Sequence, residues 1–367
     1  MKQTMKETGP RGEVRMSRRR GRHTGRAVTA VLLLTSILLA TAGCSSTGGR
    51  RAENADPTAD AGTASGGGGG GGGGSAAGTG AGGYTLAMVT HSGDGDTYWD
   101  IVRSGAEVAA EKDNVNFLYS HDSDAGQQAQ LVQTAIDQGV DGLIVTLAKP
   151  EAMEDVVRRA VAAGIPVITV NSGQEVSAGY GALAHIGQDE VLAGEAVGEQ
   201  LNERGATKAV CLFHEQGNVG HEQRCDGVRN TFEGSVENLY ADGTNMPAVE
   251  STLEAQLITD PSLDTVITLG APFAPVAAKA AKQAGSDAEI VTFDLNAQVA
   301  VGLQDGSIAF AVDQQPYLQG YESVDLLWLH LTNGNMLGGG EPVLTGPQIV
   351  TQDEAEALIE YAQRGTR

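Results

Sequence analysis

Four side chains that could bind a metal or do redox chemistry fall within "VCLFHEQGNVGHEQRC", residues 210 to 225. Cys211, His214, His221 and Cys225 stand there in a CxxH…HxxxC order. Thiolates and imidazoles at such spacing are the usual ligands of structural zinc. The segment is not HExxH, so the paired helical histidines of a zinc hydrolase are absent. A second chemical stretch is "HSGDGDTYWDIV" (91 to 102), where a Gly/Asp-rich turn runs into Tyr98 and Trp99. Aromatic rings beside carboxylates suit a sugar, because apolar C–H faces stack on the rings while hydroxyls donate to Asp. Adjacent residues on a helix do not share a face, so one of the two rings is equally suited to the core. "GDGD" lacks the GxGxxG and GK[ST] patterns of phosphate loops, and its carboxylates would repel phosphate. The EF-hand spacing and its final Glu are also missing.

These residues must be positioned by the elements around them. From Tyr84 onward short apolar runs alternate with longer amphipathic ones. Strands are predicted at 84–90, 115–120, 142–147, 166–170, 208–213, 264–269, 289–293 and 308–312. Their continuous β-branched character is that of strands buried on both faces of a parallel sheet. Helices are predicted at 98–112, 125–138, 150–163, 189–203, 220–233, 272–284 and 317–333, with Gly139, Gly164 and Gly205 as left-handed residues just past three of them. The alternation predicts an α/β chain with right-handed crossovers. The stretch 171 to 190 reads as an irregular connection with four units on either side. That break favours two doubly wound parallel-sheet lobes over one closed barrel.

Ligands of open α/β sheets bind beyond the carboxyl ends of the strands. Asn171 follows the fourth predicted strand, Asp294 follows "EIVTF", and Asp313, Gln314 and Gln315 follow "IAFAV". Each alone is as readily a turn or helix-cap residue. Together with Asp96 and Arg224 they form a polar set at strand ends and helix starts.

The amino-terminal region sets the compartment. Nine Lys/Arg against two Glu precede "AVTAVLLLTSILLATAGC", the charged and apolar regions of a secretory signal peptide. The apolar run is short for a membrane span of about 20 residues. Ala42-Gly43-Cys44 resembles a lipoprotein cleavage box, with Thr41 where Leu is commonest, so residues 1–43 are expected to be removed and Cys44 lipidated. Residues 44–83 are Gly/Ala/Ser-rich with almost no large apolar side chain, and they are expected to form a flexible tether. Removing the leader takes a net +7 from the chain's −22 and leaves −29. Nucleic-acid affinity comes mainly from Lys/Arg on phosphate, so this acidity excludes nucleic acid as a partner.

The ordered set of the aromatic pair, "AAGIPVITVNSG", "AHIGQDEVLAGEAVGEQL", "HEQGNVGHEQRCDGV" and "IVTFDLN" resembles the type I periplasmic sugar-binding proteins of ABC importers, the ribose- and inositol-binding-like group. The resemblance covers the chain from about Tyr84 to its end. It implies two lobes joined by a three-crossing hinge, 84–187 plus 315–345 and 188–314 plus 346–367, that close on ligand. Carried over residue by residue, the ligand set becomes Asp96, Tyr98, Trp99, Asn171, Arg224 and Asp294, with Gln314 in the hinge. His214 is expected at the pocket edge, although a structural histidine suits that position equally. Asn171 replaces the Asp of ribose binders, Ser172 replaces their Arg, and Gly270 replaces an Asn. These departures point away from ribose, and His214 with the "GQDE" segment, Gly187 to Glu190, resembles binders of hexoses or cyclitols such as myo-inositol instead.

On this arrangement "KAVCLF" is a strand and "VGHEQRCDGV" opens the next helix, which spreads the four candidate ligands too widely for one tetrahedral metal. Cys211 and Cys225 are expected to be bridged if their Cα atoms approach within about 4.4–6.8 Å; two buried thiols remain open. No metal or cofactor is expected. The expected function is an extracytoplasmic lipoprotein, held at the outer face of the membrane by lipid alone, that presents a sugar or cyclitol to an ABC permease as a monomer. A ligand-sensing receptor subunit is the alternative. A secreted sugar-modifying enzyme is disfavoured: GxSxG is absent, and Asp96 and Asp294, imaginable as glycosidase carboxylates, equally serve a binding site.

Overall fold

The computed structural model describes residues 83–93 and 95–367. The leader, the expected lipidation site Cys44 and the tether up to residue 82 lie outside the described residues. Among the described residues no helix is long and apolar enough to cross a membrane.

The first lobe begins β1 (Thr85–Thr90), α1 (Thr97–Asp113), β2 (Asn116–His121), α2 (Ala125–Gln138), β3 (Gly142–Thr146), α3 (Pro150–Ala162), β4 (Val167–Val170), α4 (Gln174–Tyr180) and β5 (Ala184–Gln188). The chain then crosses into α5 (Glu190–Arg204), β6 (Lys208–Phe213), α6 (Val219–Thr231), β7 (Ser235–Tyr240), α7 (Met246–Thr259), β8 (Thr265–Thr268), α8 (Ala274–Ala284), β9 (Glu289–Phe293), α9 (Ala297–Asp305) and β10 (Phe310–Asp313). It returns as α10 (Pro316–Asn333) and β11 (Val343–Gly346), then crosses again to β12 (Gln348–Val350) and α11 (Gln352–Gln363). Two six-stranded sheets result, ordered β11-β5-β4-β3-β1-β2 and β12-β10-β9-β8-β6-β7. All pairings are parallel except β10 with β12. The two doubly wound lobes expected from the sequence are present.

Strand pleating explains why each sheet is covered twice. In β1, Leu86 and Met88 pack with Val102 and Ala106 of α1 and Leu327 of α10, whereas Ala87 and Val89 pack with Val132 of α2 and Val156 of α3. In β6, Val210 and Leu212 face α7 to α9, and Ala209, Cys211 and Phe213 face α5 and α6. Cys211 and Cys225 therefore lie on one face, and a disulfide joins them with Cα atoms 6.4 Å apart. Helices α5 and α6 touch backbone to backbone: a Cβ on Gly194 would overlap the Arg224 carbonyl oxygen, so only glycine permits this approach.

The stretch 171–190 is not irregular. It holds α4 and β5, seven and five residues long, each too short for a hydrophobic period to register. β7 was also unforeseen, because this edge strand is largely solvent-facing and its sequence "SVENLY" carries no apolar run. α7, α9, α11, β11 and β12 complete the set that periodicity missed. Among the hinge residues, Arg367 pairs with Asp313 (2.5 Å) and donates to Gln315 Oε1 (3.0 Å), so one guanidinium braces the second crossing.

The disulfide closes a loop with a sequence separation of 14, and cross-linking a loop of that size restricts the unfolded chain by about 3 kcal/mol. The Cys211→Ala/Cys225→Ala protein is therefore expected to lose about that much stability in urea unfolding followed by circular dichroism.

Candidate functional site

The carboxyl ends of the two sheets face each other across a cavity of about 650 Å³. Seven of the eight ligand residues expected from the sequence line it: Asp96, Tyr98, Trp99, Asn171, His214, Arg224 and Asp294. Gln314 does not. It is fully buried behind the wall, where its Nε2 donates to Asp294 Oδ1 (2.5 Å) and its Oε1 accepts from Asn171 Nδ2 (3.1 Å). Its strand-end position was right, but the side chain points into the hinge and braces cavity residues from both lobes.

The first lobe presents the start of α1. Asp96 caps that helix by accepting from the Tyr98 backbone N–H (3.0 Å), which satisfies an otherwise unpaired donor. The cavity lies at the helix amino terminus, so Tyr98 and Trp99 both reach it although they diverge around the axis. Their rings meet edge to face with centroids 5.0 Å apart, and Trp99 meets His91 in the same way at 5.0 Å. The Tyr98 hydroxyl donates to Gln319 Oε1 and accepts from Asn171 Nδ2, both at 3.0 Å. Tyr98 therefore offers its ring to the cavity while its hydroxyl is held by protein. Asn171 serves chiefly to hold Tyr98, since its Oδ1 is also taken by the Ser172 hydroxyl (2.8 Å).

The second lobe presents a buried charge cluster. Arg224 donates through Nε and Nη2 to both oxygens of Glu190 (2.7 and 2.8 Å) and through Nη1 to the Leu269 carbonyl (2.8 Å). Asp294 Oδ2 lies 3.8 Å from Nη1. Three of the guanidinium's five N–H groups are thus committed to protein, which leaves two for Asp294 and a bound molecule. Glu190 was not foreseen as the partner; its only signal is a carboxylate in the first turn of the helix that packs on α6. Asn171 and Asp294 both adopt positive φ, 66° and 71°, a conformation that Asn and Asp tolerate better than other side chains. That turn swings each side chain from the strand end toward the cleft.

Burial raises the pKa of two of the carboxyls that line the cavity. Desolvation pushes Asp294 up to about 7 despite Arg224 and Gln314, and it pushes Asp96 up to about 6 against the hydrogen bond from Tyr98. The same desolvation lowers the imidazoles: His214 falls to about 3, and His221 lies well below its ordinary value. Both are neutral at ordinary pH. His214 stacks on Phe273 (3.9 Å between centroids) and sits 4.3 Å from the His221 ring. His91, Glu215, Asn218, His221 and Phe273 also line the cavity. The rule of reading just past each strand would have found His91, which immediately follows β1. Among the described residues no group of three or more His, Cys, Asp or Glu is placed to hold a metal.

The periplasmic binding protein domain model matches residues 86–335. A carbohydrate transporter from Acidothermus cellulolyticus, solved in complex with myo-inositol, superposes with a TM-score of 0.77 at 48% identity, covering 78% of this chain and all of that one. A D-apiose import binding protein of Paraburkholderia graminis is 28% identical over 78% of this chain and 93% of its own length. A xylose/arabinose-binding protein of Sulfolobus acidocaldarius is 25% identical over 61% of this chain, which spans 60% of that relative. With the family model matching well over half of its length and both lobes built as that fold requires, the chain belongs to the periplasmic binding protein family.

Proposed function

We propose that the protein is an extracytoplasmic solute-binding component of an ABC importer, anchored through lipid on Cys44, that captures a neutral cyclitol or sugar between its lobes and delivers it to a permease. The observation that carries this reading is a shared cavity in which the Tyr98 and Trp99 rings meet the polar set of Arg224 and Asp294. Apolar ring faces of a polyol stack on aromatic carbons, while its hydroxyls accept from Arg224 and donate to the carboxylates. Arg224 is already matched by Glu190 and Asp294, so the site has no spare positive charge for a phosphate or uronate. The complex of the Acidothermus cellulolyticus protein with myo-inositol favours a cyclitol over a pentose. Binding acts by shifting the open and closed populations, and no bond is broken.

A thermal-shift screen of the purified protein against pentoses, hexoses and cyclitols tests the assignment; stabilisation by none of them would refute it. Asp294→Ala is expected to weaken binding of the identified polyol at least tenfold, read by calorimetry. Arg224→Ala strands Glu190 as an unpaired buried charge, and this is expected to cost about 3–5 kcal/mol in urea unfolding. The Arg224→Met/Glu190→Met double variant should recover part of that loss.

The raised carboxyls make binding depend on pH. Ligand hydroxyls donate to ionised carboxylates, so binding favours the deprotonated forms and affinity falls as pH drops through about 7 and then about 6. Titrations near pH 6.5 in buffers of different ionisation enthalpy are expected to show proton release on binding. For folding the sign is opposite. The folded protein holds these protons where the unfolded chain has lost them, so the ligand-free protein is expected to lose stability as pH rises from about 4 toward 7.

A further inference from the structure

The two lobes also touch at the edge of the cavity. Lys149 stands at the carboxyl end of β3 in the first lobe, and its Nζ is 3.0 Å from Glu215 Oε1 in the loop after β6 of the second. Lys149 Nζ also donates to the Ser123 carbonyl (3.1 Å), and Asn218 Nδ2 donates to Glu215 Oε2 (2.9 Å), so both partners are held in place. Beside this pair the Val219 N–H, at the start of α6, donates to the Ala148 carbonyl (3.0 Å). Ala148 is buried. Glu215 lines the cavity, but Lys149 and Ala148 do not.

We propose that the Lys149–Glu215 pair and the Ala148–Val219 backbone bond form a latch that engages only when the lobes are fully shut, and that it thereby sets an upper limit on ligand size. This rests on the binding-protein reading above. A hydrogen bond is lost within about half an ångström of lengthening beyond its normal range. A ligand that holds the cleft ajar therefore forfeits the backbone bond and weakens the ion pair, whose attraction falls with distance, whereas one that fits inside gains both in full. The latch rewards closure rather than any one hydroxyl, and discrimination follows from that difference between closed and ajar states. A partly exposed ion pair contributes little in isolation, so the effect expected is a modest factor that falls unequally on large and small ligands.

The test compares myo-inositol, or the polyol that binds best in the screen, with its mono-O-methyl ethers by calorimetry. For the wild type, at least one ether is expected to bind more weakly than the parent. Lys149→Ala is expected to weaken the parent polyol about three- to tenfold and the disfavoured ether less than about twofold, which narrows the discrimination. Lys149→Arg should restore it. Equal weakening of both ligands, an unchanged parent affinity, or a wild type that binds every ether as well as the parent would each overturn the latch while leaving the binding reading intact. A wild type that bound no polyol would overturn both.

Discussion

A guanidinium that is only 4% exposed can persist in a protein only if its charge and donors are met, because stranding such an ion costs several kcal/mol. Meeting the needs of Arg224 organises much of the molecule. Glu190 supplies the bidentate partner from the first turn of α5, where the helix terminus also favours a carboxylate. Holding that pair requires α5 and α6 to touch backbone to backbone, which is why glycine occupies position 194. Glu190 in turn accepts from Gln188 Nε2 (2.8 Å) on the crossing strand. On the other side Arg224 neighbours Asp294, which is bonded to Gln314, which is bonded to Asn171. A continuous polar chain therefore runs from the first crossing through the second lobe and back into the first.

The two halves of the cavity are variations on one plan. β1 and β6 hold the same place in their sheets, as do β3 and β8, and β4 and β9. His91 and His214 follow the first pair, Asp96 and Asn218 cap the helices after them, and Asn171 and Asp294 follow the third pair with the same left-handed turn. One lobe has put rings at the helix start and an amide at the strand end; the other has put a neutral imidazole and a carboxylate there. An aromatic wall thus faces a charged one, the division of labour that a polyol with apolar faces and a hydroxyl rim requires.

The parts of this plan legible in the sequence were those with a strong local signature. Buried central strands announce themselves as β-branched runs, and residues just past them, such as Asn171 and Asp294, could be picked out by position alone. The edge strand at 235–240 could not, because four of its six residues are exposed and its composition resembles a loop. The pairing of Glu190 with Arg224 was invisible for another reason: the two lie 34 residues apart, and only the packing of two helices makes them neighbours. Gln314 shows the limit of positional reading. Its place after a strand was evident, but whether its side chain faced the cavity or the hinge depended on a turn at Gln315 that no periodicity encodes.

Gln314 sits where β10 of the second lobe runs into the second crossing, and its amide bonds Asp294 of that lobe and both Asn171 and Gln319 of the other. If the halves swing apart, its amide can accompany only one of them, so the joint must give up either the Asn171 or the Asp294 contact. Such a pivot behaves less like a loose pin than like a sprung clasp, with a preferred angle written into a single side chain.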